Sequence, residues 1–174
     1  MKLLTLAFFL SAASPLLAAT EIYFTPSLDC EKGIIERIEG AKGEIRVAVY
    51  SINNDNIIAA LERAKANGIK IRILTDKTQA SGKSSKARYL YSQGFDIKVH
   101  SKHKLEHNKF AVYDDSAAST GSFNWTNPAS TKNSENCVFF STKKQAAEYL
   151  ARFEELWTLN DEEKSAEWFG KEQL

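Results

Sequence analysis

The sequence predicts a single α/β domain, with a mixed, mostly parallel β-sheet flanked by helices. Segments that alternate apolar and polar residues take turns with segments of helical periodicity. One strand–helix–strand passage occupies roughly thirty residues, which is typical of a βαβ unit with parallel pairing. The length of 174 residues suits one domain and is short for two. The sequence shows neither an internal repeat nor a linker.

The N-terminal residues 1–19 have the layout of a secretory signal peptide. A positive start at Met1-Lys2 precedes an apolar run at 3–10 and a stretch of small residues. The run is too short to span a bilayer by itself, and we expect cleavage near Ala19. Because Leu17 departs from the usual cleavage pattern, a retained anchor stays the alternative. The mature domain, residues 20–174, is expected to be periplasmic or secreted, and membrane association is possible but not indicated.

The first half of the mature domain pairs strands with helices. Strands are predicted at residues 21–25, 44–52 and 69–74, where apolar residues alternate with charged or small ones. A helix begins at Pro26-Ser27, where Ser27 is a suitable N-cap. A second, amphipathic helix covers residues 53–67 and ends at Gly68. The strand at 44–52, the helix at 53–67 and the strand at 69–74 form the predicted βαβ unit.

The second half contains more strands and fewer helices. Further strands are predicted at residues 95–100, 110–113, 117–121 and 136–141. A helix over residues 86–93 stops at Gly94, and a closing helix covers residues 143–159. Asp114-Asp115-Ser116 forms a turn between two strands. The tail from about residue 160 is acidic, and we expect it to fray.

Charge is distributed unevenly along the chain. The formal net charge is +1, so the overall balance indicates no partner. Residues 77–109 nevertheless contain eight basic residues against two acidic ones. A basic segment directly before the motif described below would attract a polyanion and release its counterions. The alternative is a solvated helix face and loop without a binding role.

The two cysteines, Cys30 and Cys137, leave two possibilities open. An exported protein meets an oxidising compartment, so they can form one disulfide. Their separation in sequence does not determine their distance in space. Two buried free thiols are the alternative.

A constellation of polar residues between His107 and Glu135 offers a phosphodiester chemistry. The spacing is H-x-K-x4-D-x6-G-S-x-N, from His107 through Lys109 and Asp114 to Asn124. Residues two apart at a strand start point to one side, so His107 and Lys109 would face one phosphate. Histidine can attack phosphorus or protonate a leaving oxygen, and a lysine ammonium stabilises phosphoryl oxygens.

The other members of this constellation complete a phosphate site. Gly121 permits close backbone approach, while Ser122 and Asn124 add hydrogen-bonding groups. Glu135 can accept the proton of the second imidazole nitrogen and so fix the tautomer. The set requires neither a metal ion nor a cofactor.

The segment from His107 to Glu135 resembles the HKD motif of the phospholipase D superfamily, particularly its small, single-motif bacterial endonuclease branch. The resemblance implies a metal-independent endonuclease that hydrolyses DNA or RNA through a phosphohistidine on His107. It assigns Lys109, Ser122 and Asn124 to the phosphate and Glu135 to orienting the imidazole. It assigns Asp114 a supporting, partly structural role among the catalytic residues. A phospholipase acting on membrane lipid is the alternative enzyme, and a nucleic-acid-binding module is the non-catalytic one.

The resemblance also implies a homodimer. Its chemistry uses a second motif histidine to protonate the leaving group, and this sequence contains one copy of the motif. His107 of each subunit would then face the other across a two-fold axis.

Three other patterns compete with this interpretation. Residues 103–107 fit the H-x-x-E-H pattern of zinc proteases, but the neighbouring strands leave little room for a helix. Residues 81–84 resemble the end of a phosphate-binding loop, but Lys77 stands where that motif needs glycine. Phe123, Trp125 and the loop at Pro128 can form an aromatic surface for stacked bases or be core and turn residues.

Overall fold

The fold, a computed structural model that describes residues 20–170, is built on one seven-stranded mixed sheet. Its strands are β1 (Thr20–Phe24), β2 (Glu44–Val49), β3 (Lys70–Asp76), β4 (Asp96–His100), β5 (Lys109–Tyr113), β6 (Ala117–Gly121) and β7 (Asn136–Phe140). Its helices are α1 (Asp29–Gly40), α2 (Asp55–Ala66), α3 (Lys77–Ser81), α4 (Ala87–Ser92), α5 (Asn127–Thr131), α6 (Lys143–Thr158) and α7 (Glu162–Gly170). The predicted signal peptide, residues 1–19, lies outside the described residues.

Alternate residues of the central strands enter cores on the two faces of the sheet. Val47 and Val49 of β2 are buried with the apolar side chains of α1 and α2. Ala48, between them, is buried with Phe153 and Leu156 of α6 on the other face. The single mixed α/β domain with flanking helices is therefore confirmed.

The sheet is mixed, as predicted, but the prediction that most of its strand pairs are parallel is wrong. The strand order is β1-β7-β6-β5-β2-β3-β4, and only β2–β3 and β3–β4 pair in parallel. The other four pairs are antiparallel. The helical crossovers that parallel pairing requires occur only between β2 and β4. After β4 the chain turns back, with Asp114 and Asp115 at positive φ in the tight turn between β5 and β6.

One end of the sheet collects the loops that matter for function. Because β2, β3 and β4 are parallel, their last residues Val49, Asp76 and His100 lie at the same end. We call this the carboxyl end of the sheet. Lys109 of β5 pairs with Val49 there, since β5 runs antiparallel to β2. The opposite, amino end contains Glu44 and Tyr113.

The predicted helix boundaries hold where capping chemistry is strong. The side chain of Asn54 accepts a hydrogen bond from Ile57 N at the start of α2, and Gly68 follows its end at φ +83°. The prediction for Ser27 is wrong, because Leu28 is the N-cap of α1. Ser27 Oγ instead accepts a hydrogen bond from Asp29 N. The short helices α3 and α5 were not predicted.

The acidic tail forms a helix within the described residues and does not fray there. The side chain of Ser165 accepts a hydrogen bond from Val99 N of the edge strand β4 at 2.9 Å. Phe169 is buried and stacks on Tyr91, with ring centroids 4.3 Å apart. These contacts anchor α7 despite its charge.

Cys30 and Cys137 form a disulfide that joins α1 to β7. Of the two possibilities left open by the sequence, the structure therefore has the disulfide. The bond closes a sequence separation of 107 residues. In the chain-entropy description, a disulfide that closes a loop of this size stabilises the folded state by roughly 4–5 kcal/mol, because it restricts the unfolded chain. Among residues 20–170, no helix has the length and apolar composition needed to cross a membrane.

Candidate active site

A pocket of about 350 Å³ opens at the carboxyl end of the sheet. Six residues line it: His107, Lys109, Gly121, Ser122, Asn124 and Glu135. They come from the start of β5, the end of β6 and the start of β7, which are adjacent strands. The structure thus brings together the predicted site residues, with the exception of Asp114.

His107 and Lys109 are in direct contact. The Nζ atom of Lys109 lies 3.1 Å from His107 Nδ1 and donates a hydrogen bond to the carbonyl oxygen of His107 at 2.6 Å. Lys109 is buried, whereas His107 is exposed to solvent. Burial lowers the pKa of Lys109, and the carboxylates of Glu135 and Glu106 partly oppose this effect.

Gly121 and Ser122 form the close junction between β6 and β7. Gly121 has φ +144°, and a Cβ atom placed there would lie 2.2 Å from the carbonyl oxygen of Asn136. A glycine is therefore required by both the backbone conformation and the space. The hydroxyl of Ser122 accepts a hydrogen bond from Asn136 N at 3.1 Å and donates one to Glu135.

Glu135 contacts Ser122 and not the imidazole. Its carboxylate accepts hydrogen bonds from Ser122 Oγ and from Asn133 Nδ2, the latter at 2.9 Å. Its backbone N–H donates to Thr25 Oγ1 at 2.8 Å. Within residues 20–170, Glu135 makes no hydrogen bond to His107, whose Nδ1 faces Lys109 instead. The predicted orienting contact is therefore absent from this arrangement.

Asn124 presents an acceptor to the pocket that it lines. In the part of the chain that the structure describes, its buried Oδ1 atom has no hydrogen-bond partner. The following residue is held firmly, since Trp125 N donates to Ser51 O and Trp125 O accepts from Asn53 N and Asn54 N. Buried polar groups are normally satisfied, so the Asn124 amide is suited to a hydrogen-bonding partner from a bound molecule.

Asp114 lies at the amino end of the sheet and does not line the pocket. Its carboxylate accepts hydrogen bonds from the backbone N–H groups of Lys42 and Gly43, both at 2.7 Å, and of Glu44 at 3.1 Å. Asp114 therefore does not join the other predicted catalytic residues in the pocket. Only the structural part of its predicted role has contacts to support it.

Tyr50 is a site residue that the sequence did not reveal. Its ring centroid lies 4.8 Å from that of the His107 imidazole, and Lys109 Nζ lies 5.4 Å from the Tyr50 ring centroid. Tyr50 N also donates to Asn108 O. It follows β2, so its contact with the motif depends on the antiparallel pairing of β2 with β5.

Two buried carboxylates hold the loop that carries His107. Glu106 accepts hydrogen bonds from both Asn108 N, at 3.0 Å, and Asn108 Nδ2, at 2.7 Å. Glu106 N in turn donates to Asp76 Oδ2 at 2.7 Å. The residues on either side of His107 are therefore tied to the end of β3.

The structure does not support the zinc-protease pattern or an exposed aromatic surface at Phe123 and Trp125. Residues 103–107 are not helical, and His103 instead contacts His100, with Nδ1 and Nε2 2.7 Å apart. Among the described residues, no group of three or more His, Cys, Asp or Glu side chains is placed to hold a metal ion. Phe123 and Trp125 are buried in the core, so of the two alternatives left open for these side chains the structure has the core one.

The sheet topology and the pocket are those of a phospholipase D-like domain. Residues 34–157 match the family described as cardiolipin synthase, PLD-like domain, and the chain belongs to that family. The membership in the phospholipase D superfamily predicted from His107 to Glu135 is confirmed.

Curated relatives carry phospholipase names. The chain is 35% identical over 127 residues to a phospholipase D of Rickettsia prowazekii, covering 73% of this chain and 62% of that protein. It is 29% identical over 125 residues to a mitochondrial cardiolipin hydrolase of Chlamydomonas reinhardtii, covering 72% and 56%. The chain thus spans less than two thirds of the length of these relatives.

A solved structure shares the fold. The phospholipase D family member Nuc from Salmonella typhimurium superimposes with a TM-score of 0.78 at 29% sequence identity. The match covers 83% of this chain and 97% of that one.

Proposed function

We propose that this chain is a phosphodiesterase that hydrolyses nucleic acid, with DNA as the leading substrate and RNA as the alternative. The contact between His107 and Lys109 inside a pocket that also presents Ser122 and Asn124 carries the proposal. A nucleophile beside a buried cation, with neutral hydrogen-bonding groups in the same pocket, suits a tetrahedral phosphate diester.

In the proposed first step, His107 Nε2 attacks phosphorus and forms a P–N bond. The bond from phosphorus to the leaving oxygen breaks, and the oxygen keeps the electron pair. It takes a proton from the imidazolium of His107 of the partner subunit. Lys109 stabilises the charge on the phosphoryl oxygens during this step.

In the second step, water attacks phosphorus and the P–N bond breaks. The electron pair returns to His107, and the proton of the water passes to the neutral imidazole of the partner's His107. The products are one phosphate monoester and one alcohol. The scheme balances with two imidazoles and needs no cofactor.

A homodimer is part of this proposal. The pocket contains one imidazole, and the scheme requires two. Apolar surface also lies beside the pocket, since Phe24 is 69% exposed and the next residue, Thr25, accepts a hydrogen bond from Glu135 N. Burying this surface against a second copy of the chain would remove apolar area from water and so stabilise a dimer next to the pocket.

Export to an oxidising compartment is also proposed, to the periplasm or the medium. The composition of residues 1–19 supports it, as does the Cys30–Cys137 disulfide.

Phospholipid is the second candidate substrate. The names of the relatives, phospholipase D and mitochondrial cardiolipin hydrolase, favour it. The same phosphate chemistry would serve a lipid headgroup diester.

The test compares substrates in excess EDTA. Residues 20–174, with and without His107→Asn, are incubated with labelled single- and double-stranded DNA, RNA, and phospholipid vesicles. We expect the unaltered protein to cut nucleic acid and the variant to be inactive. Hydrolysis of vesicles alone would transfer the proposal to phospholipid, and loss of cleavage in EDTA would contradict the metal-independent scheme. Binding without turnover would favour a non-catalytic module.

A further inference from the structure

We infer that Lys83, Lys86, Lys102 and Lys104 form a track for the phosphates of an extended single nucleic-acid strand leading into the His107 pocket. We call these four residues the lysine track. The inference rests on the proposed function and deepens it, because it names the surface that holds the substrate beyond the scissile bond.

The sheet topology brings the four lysines to the end where the pocket lies. Residues 82–86 belong to the connection that leaves β3, and residues 101–108 leave β4. Both strands are parallel to β2, so both loops emerge at the carboxyl end of the sheet. Neighbouring strands are about 4.8 Å apart, so the track extends roughly 10 Å from β2 toward β4.

The first loop is attached to the segment that borders Asn124. Lys86 N donates to Ile52 O at 2.9 Å, and Asn53 Nδ2 donates to Ser84 O at 3.2 Å. Asn53 N also donates to Trp125 O. Lys83 and Lys86 therefore stand on a loop joined to the wall of the pocket.

The second loop leads directly into His107. Lys102 and Lys104 are exposed, while Glu106 behind them is buried and bonded to Asn108 and Asp76. The contact between His103 and His100 ties the start of the same loop to β4. The loop is therefore held in place with its lysines outward.

The charges of the track are available to a ligand. None of its four ammonium groups forms an ion pair with a carboxylate of residues 20–170. The nearby carboxylates of Asp76 and Glu106 are buried and accept hydrogen bonds from backbone N–H groups. Lys98, which belongs to the same basic segment, is excluded because it is buried against Trp157.

A polyanion fits this surface better than a lipid bilayer does. In the two loops, 82–86 and 101–108, the one large apolar side chain that is exposed is Leu105. Interfacial binding to a bilayer needs a larger apolar face in addition to positive charge. A strand of phosphates needs only spaced cations.

The experiment compares two variants with the same loss of charge. The track variant carries Lys83→Gln, Lys86→Gln, Lys102→Gln and Lys104→Gln. The control variant carries glutamine at four exposed lysines away from the pocket: Lys42, Lys65, Lys143 and Lys144. For each purified protein, kcat/KM is measured as a function of salt on a labelled single-stranded oligonucleotide and on the small diester bis(p-nitrophenyl) phosphate. Thermal unfolding checks that both variants are folded.

We expect the track variant to lose about tenfold or more in kcat/KM on the oligonucleotide at low salt. Its slope of log kcat/KM against log salt should become shallower by roughly 2–3, because each phosphate contact on a single strand contributes about 0.7. The change on the small diester should be much smaller. The control variant should follow the unaltered protein on both substrates.

Several outcomes would contradict the inference that the lysine track binds nucleic acid. An unchanged slope in the track variant would do so, as would an equal loss in the control variant. A loss seen on anionic phospholipid vesicles but not on the oligonucleotide would assign the surface to lipid.

The proposed function can fail separately, if the unaltered protein hydrolyses the small diester and no nucleic acid. In that case, the affinity of each protein for the oligonucleotide, measured by fluorescence anisotropy, tests whether the lysine track binds a nucleic-acid strand. Equal affinity of the track and control variants would reject it.

Discussion

The Nζ atom of Lys109 lies 3.1 Å from Nδ1 of His107 and also donates a hydrogen bond to the backbone carbonyl oxygen of His107. An ammonium can only donate, so this contact corresponds to the imidazole tautomer in which Nδ1 accepts and Nε2 is protonated. Attack through Nε2 needs the opposite tautomer. The proposed mechanism therefore requires the ammonium to leave the imidazole when phosphate binds and to move to the phosphoryl oxygens.

The first prediction concerns the pH dependence of Lys109. Burial lowers the pKa of this ammonium, so the alkaline limb of kcat/KM should lie below the ordinary lysine range, since the charged form is the active one. Lys109→Arg should remove that limb, because a guanidinium stays charged. Lys109→Ala should lower kcat/KM by roughly 10²–10³. An unchanged alkaline limb in Lys109→Arg would show that another group titrates.

The second prediction concerns Tyr50, whose ring adjoins both His107 and Lys109. Tyr50→Leu removes a cation–π contact of about 0.5–2 kcal/mol, so the pKa of Lys109 should fall further and the alkaline limb should move to lower pH. Tyr50→Phe keeps the ring and should behave like the unaltered protein. The pH profiles of both variants test this. A loss in Tyr50→Phe as large as in Tyr50→Leu would point to the hydroxyl instead.

The third prediction separates Asp114 from catalysis. Asp114→Ala removes three hydrogen bonds to backbone N–H groups and should reduce the free energy of unfolding by roughly 2–4 kcal/mol. Denaturant unfolding measures this loss. The kcat of the folded variant should match that of the unaltered protein, and a drop of two orders of magnitude at full folding would return Asp114 to the catalytic set.

The fourth prediction concerns the Cys30–Cys137 disulfide. Replacing both residues by alanine should lower the free energy of unfolding by roughly 2–5 kcal/mol. A reducing agent should lower the melting temperature of the unaltered protein and leave that of the double variant unchanged. Equal sensitivity of both proteins to the reductant would be inconsistent with this bond.

Local chemistry explains which parts of the fold were predictable. The helix α2 follows from its apolar face, its Asn54 cap and Gly68, all of which act within one segment. The antiparallel position of β5 beside β2 depends on pairing between Lys109 and Val49, sixty residues apart in sequence. No local pattern records that pairing, so the parallel character of the sheet was overestimated.

The same distinction applies to the site. His107, Lys109, Ser122 and Asn124 could be predicted because a strand start and a glycine turn place them together. The contacts of Glu135 with Ser122 and Asn133 could not, since they depend on how β7 meets β6. Tyr50 was missed for a similar reason, because its neighbours come from another strand.

The central claim is that His107 attacks phosphorus. The most direct measurement is intact-mass and peptide analysis of protein quenched in alkali during turnover of a labelled diester, because a phosphohistidine resists alkali and is lost in acid. We expect one phosphoryl-linked adduct on the peptide that contains His107, absent from His107→Asn. Turnover without any adduct on that peptide, or an adduct on another residue, would contradict the account.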